Sequence, residues 1–437
     1  MNGVNKKGTE LIINSSWIVG GKMIQVLISF VMGVLMVRYL GPHNFGILNL
    51  AMAYSAFVLP ICTLGINNVI VNELVDHPKD EGVLLGSSIG IRCIASVFSI
   101  LLLVIIIMLT NPNNEDLQVV SFIYSFILFF RSFDLFDYYY QSRLLSKVSS
   151  IIGIIGYVVV SIFRVVLIIN KCSIHWFAFA YVLDLLVISV LFMIFYRRGN
   201  KAILMFNWGI VKRILGKSYH YILSVFMVVI YAQMDKIMIG GFFNEKQVGL
   251  YSTAVAVCTM WTFVLQAIID SVRPVIIETR KTNLNKYREY IVLLYSFVIW
   301  ISVSVSIVFC LFADIVIIVL YGEAYIGAVE PLRIITWYTC FSYLGVARNI
   351  WSVCENKQKY EKYYACIGAG TNLILNLLLI PFLGISGAAL ASLLTQVVTN
   401  LIVPYVIKET RENVFYVFKG MNILYFQQSV RYYFFKR

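Results

Sequence analysis

The stretch RYLGPHNFGILNLAMAYSAF, Arg38 to Phe57, separates two long oily segments, and its reading decides the fold. It places Gly41, Pro42 and Gly46 within six positions and then returns at once to apolar residues. Gly accepts positive φ and Pro presets φ near about −65°, so Gly41–Pro42 predicts a sharp turn between two helices. Gly46 then stands at the start of the second helix, where a small residue lets a neighbouring helix come close. A looser copy, GGFFNEKQVGLYSTAVAVCT, spans Gly240 to Thr259. Setting Gly46 on Gly249 aligns GILNLAMA with GLYSTAVA without gaps, and the same offset lays the first oily segment on the seventh.

The chain around these two stretches has 437 residues, of which 60% are hydrophobic and only 13% charged. Soluble domains carry about 25% charged residues. With a mean hydropathy of +0.83, most of this surface faces lipid. The net charge of +13 lies in short segments between oily runs, which argues against nucleic acid as a partner. The eight cysteines are scattered singly, without a C-x-x-C pair or a His-rich neighbour, so neither a metal site nor a disulfide framework is expected. No P-loop, H-E-x-x-H or G-x-S-x-G motif occurs, and no cofactor is expected.

A helix crossing the hydrocarbon core needs about 20 mostly apolar residues. About twelve such runs occur, at roughly 12–36, 45–71, 84–109, 118–137, 149–169, 174–195, 215–239, 248–272, 289–313, 331–353, 363–382 and 385–407. Backbone facing lipid must satisfy its own hydrogen bonds, so these runs read as helices. The first, Leu11 to Val37, exceeds a signal-peptide core and reads as an uncleaved span. Lys and Arg concentrate in every second connection and in the tail, leaving Arg38, Lys171 and Lys246 in the others. The positive-inside rule then puts both termini in the cytoplasm. The expected organisation is a six-helix bundle (1–195), a basic cytoplasmic linker (196–218), a second six-helix bundle (219–407) and a basic-aromatic tail (408–437) lying on the inner leaflet. The bundles enter the membrane in the same sense, as parallel repeats around a central cleft, which is a transporter plan.

These residues resemble the polysaccharide flippases of the multidrug/oligosaccharidyl-lipid/polysaccharide exporter superfamily, the O-antigen (Wzx-type) transporters in particular. The turn at Arg38 to Asn49 matches that family's R-x-L-G-P-x-x-F-G-x-L-N pattern. DYYYQSRLLSK (Asp137 to Lys147) is similar to its aromatic-Gln-basic segment, and MDKIMIGGFFNEKQVGLYSTA, with Asp235 and Gly249, to its D-x-x-x-(I/L)-G…V-G-x-Y-S-x-A segment. NLILNLLLIPFLGISGAALAS, with Asn376 and Gly387, matches its last two spans. Lys236 stands where the family usually has Gln. The resemblance covers about Ser16 to Val406. It implies a non-enzymatic flippase of the bacterial cytoplasmic (inner) membrane, moving an undecaprenyl-diphosphate-linked oligosaccharide for O-antigen, lipopolysaccharide or another surface polymer. Its partners would be the lipid-linked substrate, membrane lipids, and polymerase and chain-length proteins of the same pathway. Alternatives are a multidrug exporter of the same superfamily and a membrane polymerase or glycosyltransferase. The longest outer loop, about Asp314 to Glu330, is largely apolar and offers little for catalysis.

Charge within a span is costly and invites a functional reading. Arg92, Asp137, Asp270 and Arg348 are expected near inner helix ends, and Arg38, Asp235, Lys236 and Arg333 near outer ends, all able to snorkel to water. Lys22, Arg131, Arg164 and Asp184 lie deeper, all in the first half, whereas the deep polar residues of the second half are Asn372 and Asn376. Lys22, Arg131 and Arg164 could line a cationic cavity for a diphosphate, with Asp184 coupling transport to an ion gradient. Equally, Arg131 could pair with Asp134 three residues on, and Lys22 with Asp184.

Overall fold

The computed structural model describes the backbone of residues 2–199, 202–423 and 426–427, with side chains for residue 25 and from residue 28 onward within those stretches except residue 224. Among the described residues every regular element is helical. Among the described residues eight helices are long and apolar enough to cross a membrane, or nine with one bent pair counted as a single span. The protein is an all-α multi-pass membrane protein. Contacts divide it into two compact units, Met1–Val229 and Ile230–Arg437.

In the first unit, α1 (Asn2–Thr63) runs through the Arg38–Phe57 stretch. No loop interrupts it. Gly41 instead takes φ 71° and ψ 169°, which kinks a 62-residue helix in the middle. At about 1.5 Å per residue the two arms are each long enough to cross a bilayer. Pro42 follows directly, where its missing N–H faces the broken turn. Next come α2 (Asn67–Asp76), α3 (Glu81–Thr110) and α4 (Glu115–Phe130), then a 3-10 turn (Arg131–Asp134), α5 (Leu135–Ser142), α6 (Ser146–Ile169) and α7 (Ile174–Gly199). The amino-terminal part of α8 (Trp208–Phe242) closes the unit. There Arg213 (3.1 Å) and Lys217 both pair with the buried carboxylate of Glu73 on α2, so two charges of the basic stretch are matched within the fold.

Residues 202–207 form an extended strap along α3. Met205 N–H donates to the Gly82 carbonyl (3.3 Å), and Asn207 N–H donates to Ser87 Oγ (2.9 Å). Gly82, Gly86 and Gly90 recur every four residues and so share one helix face. A Cβ at Gly86 would stand 2.6 Å from the Met205 carbonyl oxygen, and one at Gly90 would stand 2.8 Å from the Phe206 ring. The groove exists because side chains are absent. Gly86→Leu is therefore expected to cost about 1–3 kcal/mol by overpacking and to free the strap. Limited proteolysis in detergent checks this: cleavage within 202–207 should accelerate, and an unchanged pattern would mean the strap does not depend on the groove.

The second unit takes up the rest of α8, then α9 (Glu245–Thr259), α10 (Phe263–Thr282), α11 (Leu284–Tyr321), α12 (Val329–Ile335), α13 (Tyr338–Cys354) and α14 (Glu361–Val397). A π-helical turn (Val398–Ile402), α15 (Val403–Val406) and α16 (Arg411–Gly420) follow. α14 repeats the kink device at Gly384, with φ 59° and ψ −140°. The segment expected to be a loop from Asp314 to Glu330 is mostly helix, because its apolar residues to Tyr321 continue α11. α16 docks on α11, where Asn413 donates to the Tyr295 hydroxyl (2.5 Å) and Ser296 to the Gly420 carbonyl (2.9 Å). Its Phe415 and Phe418 remain exposed. The end of the tail lies outside the described residues.

Both units break one helix and hold the freed carbonyls with side chains. Cys62 donates to the Leu128 carbonyl (3.2 Å) and Ser189 to that of Phe130 (3.2 Å), just ahead of and at the 3-10 turn. Between α12 and α13, Cys258 donates to the Ile335 carbonyl (3.2 Å) and Ser306 to that of Thr336 (2.9 Å). Such partners are required wherever a break faces a medium without water. They give two of the scattered cysteines a specific place.

Candidate functional site

In the first unit, α4 starts at an Asn114 cap that accepts from the Leu117 N–H (2.9 Å) and ends at the 3-10 turn. The turn opens with Arg131, whose Nη1 donates to Asp134 Oδ2 at 3.2 Å; the Arg131 side chain is 44% exposed. The predicted Arg131–Asp134 pairing is therefore formed, on a 3-10 turn. Arg164 on α6 is 8% exposed, and its guanidinium carbon stands 4.5 Å from the Tyr181 ring centroid on α7. Its Nε is buried without a hydrogen bond among the described residues. Tyr181 meets Tyr124 edge-on at 5.9 Å. Asp184, three residues beyond Tyr181, keeps Oδ1 buried and without a hydrogen bond, in the field of Arg164 and Arg131. Tyr157 on α6 lies in the field of the same three charges. Gly156 makes room for this arrangement, since a Cβ there would stand 2.6 Å from Ile188.

The structure thus gathers Arg131, Arg164 and Asp184 around Tyr124, Tyr157 and Tyr181. The side chain of Lys22 lies outside the described residues. Guanidinium groups stacked on or near aromatic faces present planar forks suited to phosphate oxygens.

The second unit holds a polar hub that sequence reasoning divided into unrelated parts. Asp235 on α8 is 5% exposed, not a snorkelling residue near a helix end. Its Oδ1 accepts from Asn376 Nδ2 (2.6 Å) and Asn372 Nδ2 (3.2 Å). Its Oδ2 accepts from the Tyr251 hydroxyl (2.5 Å) and from Ser392 Oγ. One carboxylate therefore ties α8 to α9 and to both arms of α14. Gly387 permits the closure of those arms, because a Cβ there would run into the Leu379 carbonyl. The second unit does contain a buried charge, on the same cluster as Asn372 and Asn376. The signal was present in the sequence: Asn372 and Asn376 are four apart on one helix face and require a partner.

Two more expected surface charges are internal. Arg348 is 4% exposed and donates to Asn400 Oδ1 (3.0 Å), the Thr399 carbonyl (3.3 Å) and Glu361 Oε2 (3.2 Å). The Thr399 carbonyl belongs to the π-helical turn, whose widened backbone frees acceptors. Arg92 is wholly buried on α3. Both side chains turn inward to polar turns of neighbouring helices. Among the described residues no group of three His, Cys, Asp or Glu could hold a metal ion.

The family model described as "Polysaccharide biosynthesis protein" matches residues 35–330. No curated protein sequence matches the chain. Among solved structures, the chain is similar to "Lipid II flippase MurJ, inward closed conformation" with a TM-score of 0.71 and 13% identity, covering 97% of this chain and 99% of that one. An inward-facing multidrug resistance MATE family transporter of the MOP superfamily gives 0.67 and 14%, covering 91% and 96%. The Vibrio cholerae MATE transporter VcmN in its bent form gives 0.55 and 13%, covering 99% of each. These likenesses establish the fold, and the match over residues 35–330 places the chain in the polysaccharide biosynthesis protein family.

Proposed function

We propose that this chain is a flippase that carries an undecaprenyl-diphosphate-linked oligosaccharide across the bacterial inner membrane by alternating movement of its two units. The observation that carries this reading is the convergence of Arg131 and Arg164 with three tyrosines in a polysaccharide biosynthesis protein. A diphosphate crossing the hydrocarbon core needs its charge compensated throughout, and guanidinium forks do so bidentately. The tyrosines add flat surfaces and hydroxyls for sugars. In a multidrug exporter, a cavity for lipophilic cations would carry excess carboxylate. Here Asp134 pairs with Arg131, and the one further carboxylate, Asp184, lies in the field of both Arg164 and Arg131. Cytoplasmic termini, and contacts with polymerase and chain-length proteins, belong to the same proposal.

Deleting the gene and labelling the lipid-linked sugar leaflet by leaflet tests it. Complete units should accumulate on the inner leaflet, and wild-type protein should clear them. Complete but unpolymerised units on the outer leaflet would instead assign the polymerase step to this chain. Coupling to a gradient falls to Asp184, whose buried Oδ1 has no hydrogen bond among the described residues. Asp184→Asn should abolish the dependence of transport on the ion gradient in proteoliposomes, and unchanged dependence would exclude it.

A further inference from the structure

Arg92 is a buried cation that the proposed transport path does not use. It is 0% exposed, and Nε, Nη1 and Nη2 are all buried without a hydrogen bond among the described residues. A guanidinium has five N–H donors and stays charged in proteins, so an unpaired one is among the costliest groups a helix bundle can hold. α3 packs against the Arg131–Asp134 turn, and Asp134 is the carboxylate that acts on Arg92 most strongly. That carboxylate is engaged elsewhere, on the more exposed Arg131 at 3.2 Å. One carboxylate is therefore bonded to one guanidinium while acting on a second across the α3 contact.

The turn that carries Asp134 can be rewound. A 3-10 segment advances about 120° per residue and an α-helix about 100°, so converting four residues swings the last by about 80°. The Leu128 and Phe130 carbonyls ahead of the turn are already held by Cys62 and Ser189.

We propose that Asp134 is a two-position carboxylate, holding Arg131 in the present state and crossing to Arg92 when a diphosphate-like anion takes Arg131. This rests on reading Arg131 as part of the flippase's anion-binding surface. Arg92 and Asp134 are then positioning residues, which couple anion arrival to rewinding of the break between α4 and α5.

The test is a thermal-stability cycle on the full chain in detergent, without any anion ligand. Arg131→Met should leave the melting temperature unchanged or raise it by about 3 °C, because Asp134 is released to Arg92. In the Arg92→Met background the same substitution should lower it by about 3 °C, because Asp134 then has no cation. Equal shifts in both backgrounds overturn the exchange. Methionine is close to arginine's stem in shape, and because Arg92 has no bonded partner among the described residues, replacing it removes a buried charge without leaving another newly unpaired. Should Arg92→Met still fail to fold, Asp134→Asn serves: Arg131→Met should there lose any stabilising effect, and its persistence would overturn the exchange.

Inorganic pyrophosphate then probes the anion separately. Its affinity for the wild type should exceed that for Arg92→Met by about tenfold (about 1.4 kcal/mol). A coupled cycle with no pyrophosphate binding would keep the exchange and overturn the diphosphate reading of Arg131. A non-coupled cycle with tight pyrophosphate binding would do the reverse.

Discussion

Replacing Asp235 with alanine is expected to lower the melting temperature of the detergent-solubilised protein by roughly 5–15 °C. Four donors, from Tyr251, Asn372, Asn376 and Ser392, converge on this one buried carboxylate. Removing it leaves at least two of them without an acceptor, at about 1–3 kcal/mol each. The Asn376–Asn372 bond at 3.0 Å survives but cannot replace the lost acceptors. Asp235→Asn should cost about half as much, since an amide retains one acceptor oxygen and the Tyr251 and Ser392 hydroxyls can reverse their roles. Asp270→Ala provides the contrast. That carboxylate is exposed and, among the described residues, accepts from Gln266 alone (2.9 Å), so its removal should shift the melting point by less than about 2 °C. A comparably small shift for Asp235→Ala would mean that water replaces the carboxylate and that the hub does not hold α14 to α8 and α9.

The same hub marks where the sequence could be read and where it could not. Helices and a backbone break at Gly41 were legible because they depend on local quantities, apolar run length and a residue free to take positive φ, although the break is a kink within one helix and not the expected turn between two. Gly384 was legible only as part of a family pattern, although it performs the same service as Gly41. Pairings across the chain were not legible. Asp235 and Asn376 are 141 positions apart, and nothing local says that they meet. Depth estimated from distance to a helix end failed for Arg92, Asp235 and Arg348 for one reason. A charged side chain near an end can turn inward as well as outward, and does so when a carboxylate, an amide or the opened carbonyl of a π-turn or a 3-10 turn lies behind it. Arg131 and Arg164 were singled out as charges within spans, and the structure brings them into one field with Asp184. The strap at 202–207 was hidden because its groove is defined by missing side chains.

Arg164→Ala is expected to reduce surface polysaccharide at least tenfold in the deletion host, at unchanged levels of protein in the membrane. Hydrogen bonds to charged groups contribute about 1.5–3 kcal/mol each, which corresponds to roughly 10–150-fold in binding. Folding should suffer little, because no carboxylate among the described residues is bonded to Arg164; it is held by the Tyr181 face at 4.5 Å. Arg164→Lys separates charge from shape. Lysine keeps the positive charge but loses the planar fork and the stacking on Tyr181, so it should restore only part of the activity. Tyr181→Leu should lower activity in the same direction as Arg164→Lys, since it removes the surface that orients the fork. Arg333→Ala supplies the control, because that exposed side chain pairs with Asp314 (2.5 Å) and stands in the second unit. Full activity with Arg164→Ala would leave Arg131 as the anion contact and remove Arg164 from the path. Full activity with Arg164→Lys but not Arg164→Ala would assign Arg164 a charge-compensating role that does not depend on its geometry over Tyr181.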